Sequence, residues 1–155
     1  MASERLALTA LLNIEHLLHE DERAARDAVR QWVKTRYMPL LTEAHRNGPF
    51  PSELIPELAE LGVFGSNIEG YGCAGMSNVG YGLVMQELER GDSGLRSMCS
   101  VQGSLVMYPI LAFGNEAQRQ KWLPELASGR MIGCFGLTEP SAGSDPAAMK
   151  TTAVK

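Results

Sequence analysis

The chain has 155 residues, 45% hydrophobic and 21% charged, enough apolar mass for one ordinary hydrophobic core and close to the average of globular domains. A net charge of −4 gives no electrostatic reason to bind nucleic acid, and no apolar run approaches the roughly 20 residues that span a bilayer. Cys73, Cys99 and Cys134 are scattered and lack a CxxC partner, and His16, His19 and His45 lack metal-ligand spacing, so neither a disulfide framework nor a metal site is expected.

The N-terminal stretch MASERLALTALLNIEHLLHEDER carries Glu4, Glu15 and Glu20, which spoil both a secretory signal and an Arg-rich transit peptide. A cytoplasmic location is expected if this is the native start, or the mitochondrial matrix in a eukaryote. From Asp21 to Tyr37, Ala25, Val29, Trp32 and Val33 recur at helical spacing, and Pro39 is expected to end or bend that helix. A second helix runs from Leu40 to Arg46, up to the turn signal Asn47-Gly48-Pro49. In SELIPELAELG, Leu54, Leu58 and Leu61 form the stripe of a third, with Pro56 in its first turn and Gly62 as its cap.

The run GSNIEGYGCAG from Gly65 to Gly75 predicts a connection wrapped over the helices, and Tyr71 within it is a candidate wall of a ligand pocket. Ser77 or Asn78 caps a helix to Arg90 whose Val79, Leu83 and Leu88 face the core, while Glu87, Glu89 and Arg90 read as a surface charge set. Asp92 or Ser93 caps a helix from Gly94 to Met107, with Leu95, Met98, Val101, Gln102 and Leu105 on it and Pro109 stopping it. Asn115 and Gln118 make a capping box for the sixth helix, whose stripe is Trp122, Leu123 and Leu126.

After Gly129 the compact apolar run MIGCFGLT predicts a buried strand, and Thr151 to Lys155 has strand-like composition. The fold is therefore expected to be mainly α: about six helices over residues 1–129, followed over 130–155 by the truncated start of a β domain.

The most specific stretch is CFGLTEPSAGS, from Cys134 to Ser144, extended by Asp145 and Pro146. A strand delivers Thr138 to a proline-fixed turn, after which Gly143 allows a backbone that bares successive amides to an anion such as pyrophosphate. An ordinary polar turn reads equally well from the residues alone. LTEPSAGSD resembles the flavin-contacting motif of acyl-CoA dehydrogenases. GYGCAGMSNVGYGL, ELERGDSGLRSMCSVQGSLVM and GCFGLTEPSAGSDPAAM together resemble the glutaryl-CoA dehydrogenases of that family.

The resemblance implies an FAD site built from Phe135, Gly136, Leu137, Thr138, Glu139, Pro140, Ser141, Ala142, Gly143 and Ser144, with Thr138 at the polar edge of the isoalloxazine. Gly143 and Ser144 would lie where the pyrophosphate and the acyl-CoA pass. It also implies that Arg96 and Ser97 hold the distal carboxylate of glutaryl-CoA. Ser100, one helical turn from Arg96, shares its face. Without the resemblance these residues read as a solvated helix face.

Further implications are α,β-dehydrogenation with hydride transfer to FAD followed by decarboxylation, an electron-transfer flavoprotein or similar acceptor, and a homotetramer. The catalytic carboxylate base would belong to a later helical domain that this sequence lacks, so no catalytic residue is nominated and Glu139 is read as structural. Two alternatives compete. One is a short- or branched-chain acyl-CoA dehydrogenase, which has no need of Arg96. The other is a non-catalytic helical module that binds a CoA thioester or a partner subunit.

Overall fold

The computed structural model describes residues 14–48 and 50–154. The N-terminal stretch before Ile14, Pro49 of the turn signal and Lys155 of the last expected strand lie outside them. Two long rods dominate. In the first, α1 (Glu20–Trp32) passes through a π-helical stretch, Val33–Tyr37, into α2 (Met38–Asn47). After a short α3 (Ile55–Glu60), α4 (Asn78–Gly91) leads to the second rod. That rod is α5 (Ser93–Ser100), a second π-helical stretch, Val101–Met107, and α6 (Tyr108–Phe113). The last helix is α7 (Glu116–Ala127).

The prolines expected to interrupt the rods do not. Each follows a π-helical stretch: the Met38 N–H bonds the Val33 carbonyl and the Tyr108 N–H bonds the Gly103 carbonyl, both five residues back. Pro39 and Pro109 come next, where the bonding register returns to the α-helical one, so the missing N–H falls at a switch and the rod continues. The first two expected helices are thereby one body, and the fifth extends to Phe113.

The core is formed where α1, α4, α5 and α7 meet the connection after α3. Leu58, Leu88, Leu95, Met107 and Leu123 are fully buried, each contributing about 1.5–3 kcal/mol. The core-facing residues of α4 differ from expectation: Gly80, Val84, Met85, Glu87 and Leu88 are buried, whereas Val79 is exposed. Glu87 is not a surface residue. Only 1% exposed, it accepts two hydrogen bonds from Arg30 of α1, at 2.9 and 3.0 Å. A second tie joins α1 to α3, where the Glu57 carboxylate accepts from Trp32 Nε1 at 2.7 Å and from Arg36 at 2.6 and 3.0 Å.

The connection between α3 and α4 plugs the core with Val63, Phe64, Ser66 and Ile68. Its close approach to the second rod requires glycine. Gly65 has φ +63°, and a Cβ there would stand 2.6 Å from the Met107 methyl. No described segment pairs as a strand ladder. Residues 134–138 form no regular secondary structure and are exposed, with Phe135 at 46% and Leu137 at 39%, and Thr151–Val154 are likewise exposed. The buried strand expected there does not form, because a strand needs a ladder partner and the described residues supply none.

Candidate functional site

The first part of the site is the bend between α4 and α5. Asp92 makes it: its backbone is extended and its carboxylate accepts the Leu95 N–H at 2.9 Å, capping α5 while His45 Nε2 sits 3.0 Å from its other oxygen. The two helices then run antiparallel, pairing Glu89 with Arg96 and, further from the bend, Tyr81 with Ser104.

Arg96 is half-exposed on this face. Its Nε donates to Glu89 Oε2 at 2.7 Å and its Nη1 donates to Ser100 Oγ at 3.2 Å. Ser100 in turn donates to the Ser97 carbonyl at 3.1 Å. The structure thus joins Arg96 to Ser100 as helical spacing predicts, and brings Ser97 in through its carbonyl. Glu89 was missed as a member of this group, since it lies across the helix break where periodicity is silent. The Arg96 guanidinium, then the Ser93 hydroxyl, hold its carboxyl below the usual range. Nε is thus given to Glu89 and Nη1 to Ser100, and among the described residues Nη2 makes no hydrogen bond, leaving it a donor for a further acceptor.

The second part is the exit from α7. The buried side chain of Gln102, in the second rod, donates to the carbonyls of Leu126 and Met131 at 3.0 and 2.8 Å and accepts the Gly133 N–H at 2.9 Å. From there Cys134, Phe135, Gly136, Leu137 and Thr138 are exposed and outside regular secondary structure. Glu139 and Ala142 exchange both backbone hydrogen bonds, at 3.2 and 3.1 Å, closing a tight turn over Pro140 and Ser141. The Glu139 carboxylate accepts the amides of Lys150 and Thr151 at 2.8 and 2.9 Å, and the Lys150 amide foremost holds its carboxyl below the usual range. It is committed to folding the following residues back onto the turn. Gly143 and Ser144 are exposed, and Gly143 stands outside the left-handed backbone region.

An apolar groove of about 730 Å³ lies beside this exit, lined by Val106, Ile110, Phe113, Trp122, Met131 and Ile132 and not by Arg96 or Ser100. Tyr71, the candidate pocket wall, is half-buried and directs its hydroxyl to the Glu116 carboxylate at 3.0 Å. Among the described residues no cluster of His, Cys, Asp and Glu could hold a metal, and no helix is long and apolar enough to cross a membrane.

A family model described as "Acyl-CoA dehydrogenase, N-terminal domain" matches residues 19–130. The short-chain specific acyl-CoA dehydrogenase of Bos taurus mitochondria is 34% identical over 137 residues, 88% of this chain and 33% of that protein. A glutaryl-CoA dehydrogenase of Mycobacterium smegmatis, solved in complex with FADH2, superposes with a TM-score of 0.87 at 51% identity, covering 92% of this chain and 37% of that one. The butyryl-CoA dehydrogenase of Megasphaera elsdenii superposes with a TM-score of 0.78 at 35% identity, covering 86% and 36%. The chain spans about a third of the length of the curated relatives it matches. With its helices in the order of that domain and the family model spanning most of its length, the chain belongs to the acyl-CoA dehydrogenase family, whose N-terminal helical domain it carries.

Proposed function

We propose that this chain is the N-terminal part of an FAD-dependent acyl-CoA dehydrogenase of the glutaryl-CoA type, with residues 1–129 as its helical domain and 130–155 as the start of a β domain. The observation that carries the reading is Arg96, partly exposed on the α4–α5 face and fixed by Glu89 and Ser100, with no partner for its Nη2 among the described residues. A distal substrate carboxylate gives such a cation a reason to be there. The likeness to a glutaryl-CoA dehydrogenase at 51% identity supports it.

The residues of the exit segment fit a flavin. Phe135 and Leu137 offer exposed apolar surface to a planar ring, Thr138 offers a hydroxyl, and Gly136 has open space where a Cβ would stand. FAD, when bound, supplies the hydride acceptor. In this reading Thr138 donates a hydrogen bond at the edge where negative charge gathers, Phe135 and Leu137 exclude water, and Arg96 with Ser97 and Ser100 orients the acyl chain by its far end. Electron-transfer flavoprotein as acceptor, decarboxylation of the product and assembly as a tetramer belong to the same proposal.

A second reading, a short-chain acyl-CoA dehydrogenase, has one observation in its favour: Glu89 already neutralises Arg96, as it would if no substrate carboxylate arrived. The test is a graft in which this chain replaces the matching 37% of the Mycobacterium smegmatis enzyme. Retained flavin and dye reduction preferring glutaryl-CoA over butyryl-CoA support the glutaryl reading. Preference for butyryl-CoA supports the second, and a graft that folds without holding flavin sinks both.

A further inference from the structure

Gln102 stands out among the buried residues. It is 1% exposed, uncharged, and makes three hydrogen bonds, all to backbone groups and none to its own helix. It lies in the π-helical stretch Val101–Met107, on the same rod as Arg96 and Ser100. Its two donors hold the Leu126 carbonyl, at the end of α7, and the Met131 carbonyl just beyond; its acceptor holds the Gly133 N–H. A buried amide spending its capacity on chain segments 24 to 31 residues away fixes their position.

A second observation points the same way. A Cβ on Gly133 would stand 2.4 Å from Val106 Cγ1, so the exit segment is pressed against the side chain one turn further along the rod. Val106 is β-branched and gives way little. Gln102 holds residues 131–133 by hydrogen bonds, and Val106 by contact. Immediately afterwards the chain enters the segment from Cys134 to Ser144.

We propose that Gln102 is a positioning residue: it sets where the Cys134–Ser144 segment leaves the helices relative to the Arg96–Ser100 face, keeping the flavin wall and the carboxylate reader in one register. The flavin half of this inference rests on the reading given under Proposed function; the clamp itself does not.

The test uses the full chain with Cys73→Ser and a nitroxide on the exposed Cys134; Cys99 is buried and stays unlabelled. Gln102→Met fills the same space without hydrogen bonds. Gln102→Glu, read at about pH 5 where burial keeps its carboxyl neutral, restores one donor and one acceptor. At that pH the label is expected to be restrained in the parent and in Gln102→Glu but mobile in Gln102→Met, with helical circular dichroism unchanged. Should Gln102→Met fail to fold, Gln102→Asn, one methylene too short to reach both Met131 and Gly133, takes its place with the same expectation. A label as restrained in these variants as in the parent, or as mobile in Gln102→Glu as in Gln102→Met, overturns the clamp. In the graft, Gln102→Met is expected to weaken FAD retention about tenfold or more, the factor carried by about one lost buried hydrogen bond. A loosened label with FAD retention unchanged overturns the link to the flavin wall. A parent graft without flavin refutes the flavin reading instead, and the label still decides the clamp.

Discussion

Arg96 and Glu89 face each other across the bend between α4 and α5, with Arg96 Nε 2.7 Å from Glu89 Oε2. Both side chains are partly exposed, so the pair adds little to stability, but it fixes the orientation of the guanidinium. A held guanidinium has a visible Nε–H. We expect a resolved Arg96 Nε–H signal in the nitrogen–proton NMR spectrum at neutral pH, lost to solvent exchange in Glu89→Gln. An unchanged signal in that variant means that Glu89 does not hold Arg96 in solution.

Arg30 and Glu87 form the opposite kind of pair, one partner fully buried. Replacing Arg30 with Met leaves Glu87 without its main counter-charge, and is expected to cost roughly 2–4 kcal/mol, less than for a fully buried pair because Arg30 is 40% exposed and Arg90 stays within 3.5 Å. Glu87→Gln in the same background should recover part of the loss. Urea unfolding of the single and double variants measures both.

Glu57 gives an acid limb with a definite sign. Hydrogen bonds from Arg36, then from Trp32, lower its pKa from 4.5 to about 2. A depressed folded-state value means that the contribution is complete above 4.5 and fades as pH falls towards 2. Glu57→Gln should therefore unfold with a shallower dependence on pH across that window than the parent. Trp32 fluorescence reports it directly, since its indole is one of the donors. Identical acid limbs in the two proteins would mean that Glu57 does not carry the acid sensitivity.

Gly65→Ala combines two penalties, a left-handed backbone at φ +63° and a Cβ 2.6 Å from the Met107 methyl. Together they are expected to destabilise by about 2–4 kcal/mol. Met107→Val has a core-truncation cost of its own, so the steric part is the amount by which Gly65→Ala costs less in the Met107→Val background than in the parent, the backbone part remaining in both. Thermal unfolding of the parent, Gly65→Ala, Met107→Val and the double variant separates them.

Helix starts were the most legible feature of the sequence, because capping chemistry is local. Ser77, Asp92 and Asn115 each accept the amide that their positions imply. Rod continuity was not legible, since Pro39 and Pro109 are tolerated through π-helical stretches that leave no mark in the hydrophobic pattern. Glu87 looked like surface charge because its partner, Arg30, is 57 residues away. Of the candidate site, Arg96 with Ser100 followed from helical spacing. Glu89 did not, for it sits beyond a helix break, and Gln102 passed for one more residue on a core-facing helix. The apolar run after Gly129 reads as a strand by composition, but composition does not supply the neighbour that a strand requires.

If Arg96 reads a substrate carboxylate, as proposed, Arg96→Leu in the graft will shift the preference between substrates. The change removes the cation and keeps an apolar body. Because Glu89 already shares the charge, the loss should sit at the low end for such pairs, about 2–3 kcal/mol or roughly 30- to 150-fold in kcat/KM for glutaryl-CoA. Butyryl-CoA has no distal charge to lose, so its kcat/KM should stay within a few-fold of the parent or rise. The ratio of the two, measured side by side, is expected to fall by the full factor. If both substrates lose efficiency equally, Arg96 supports the fold or the flavin and does not read the substrate, and the glutaryl assignment is contradicted.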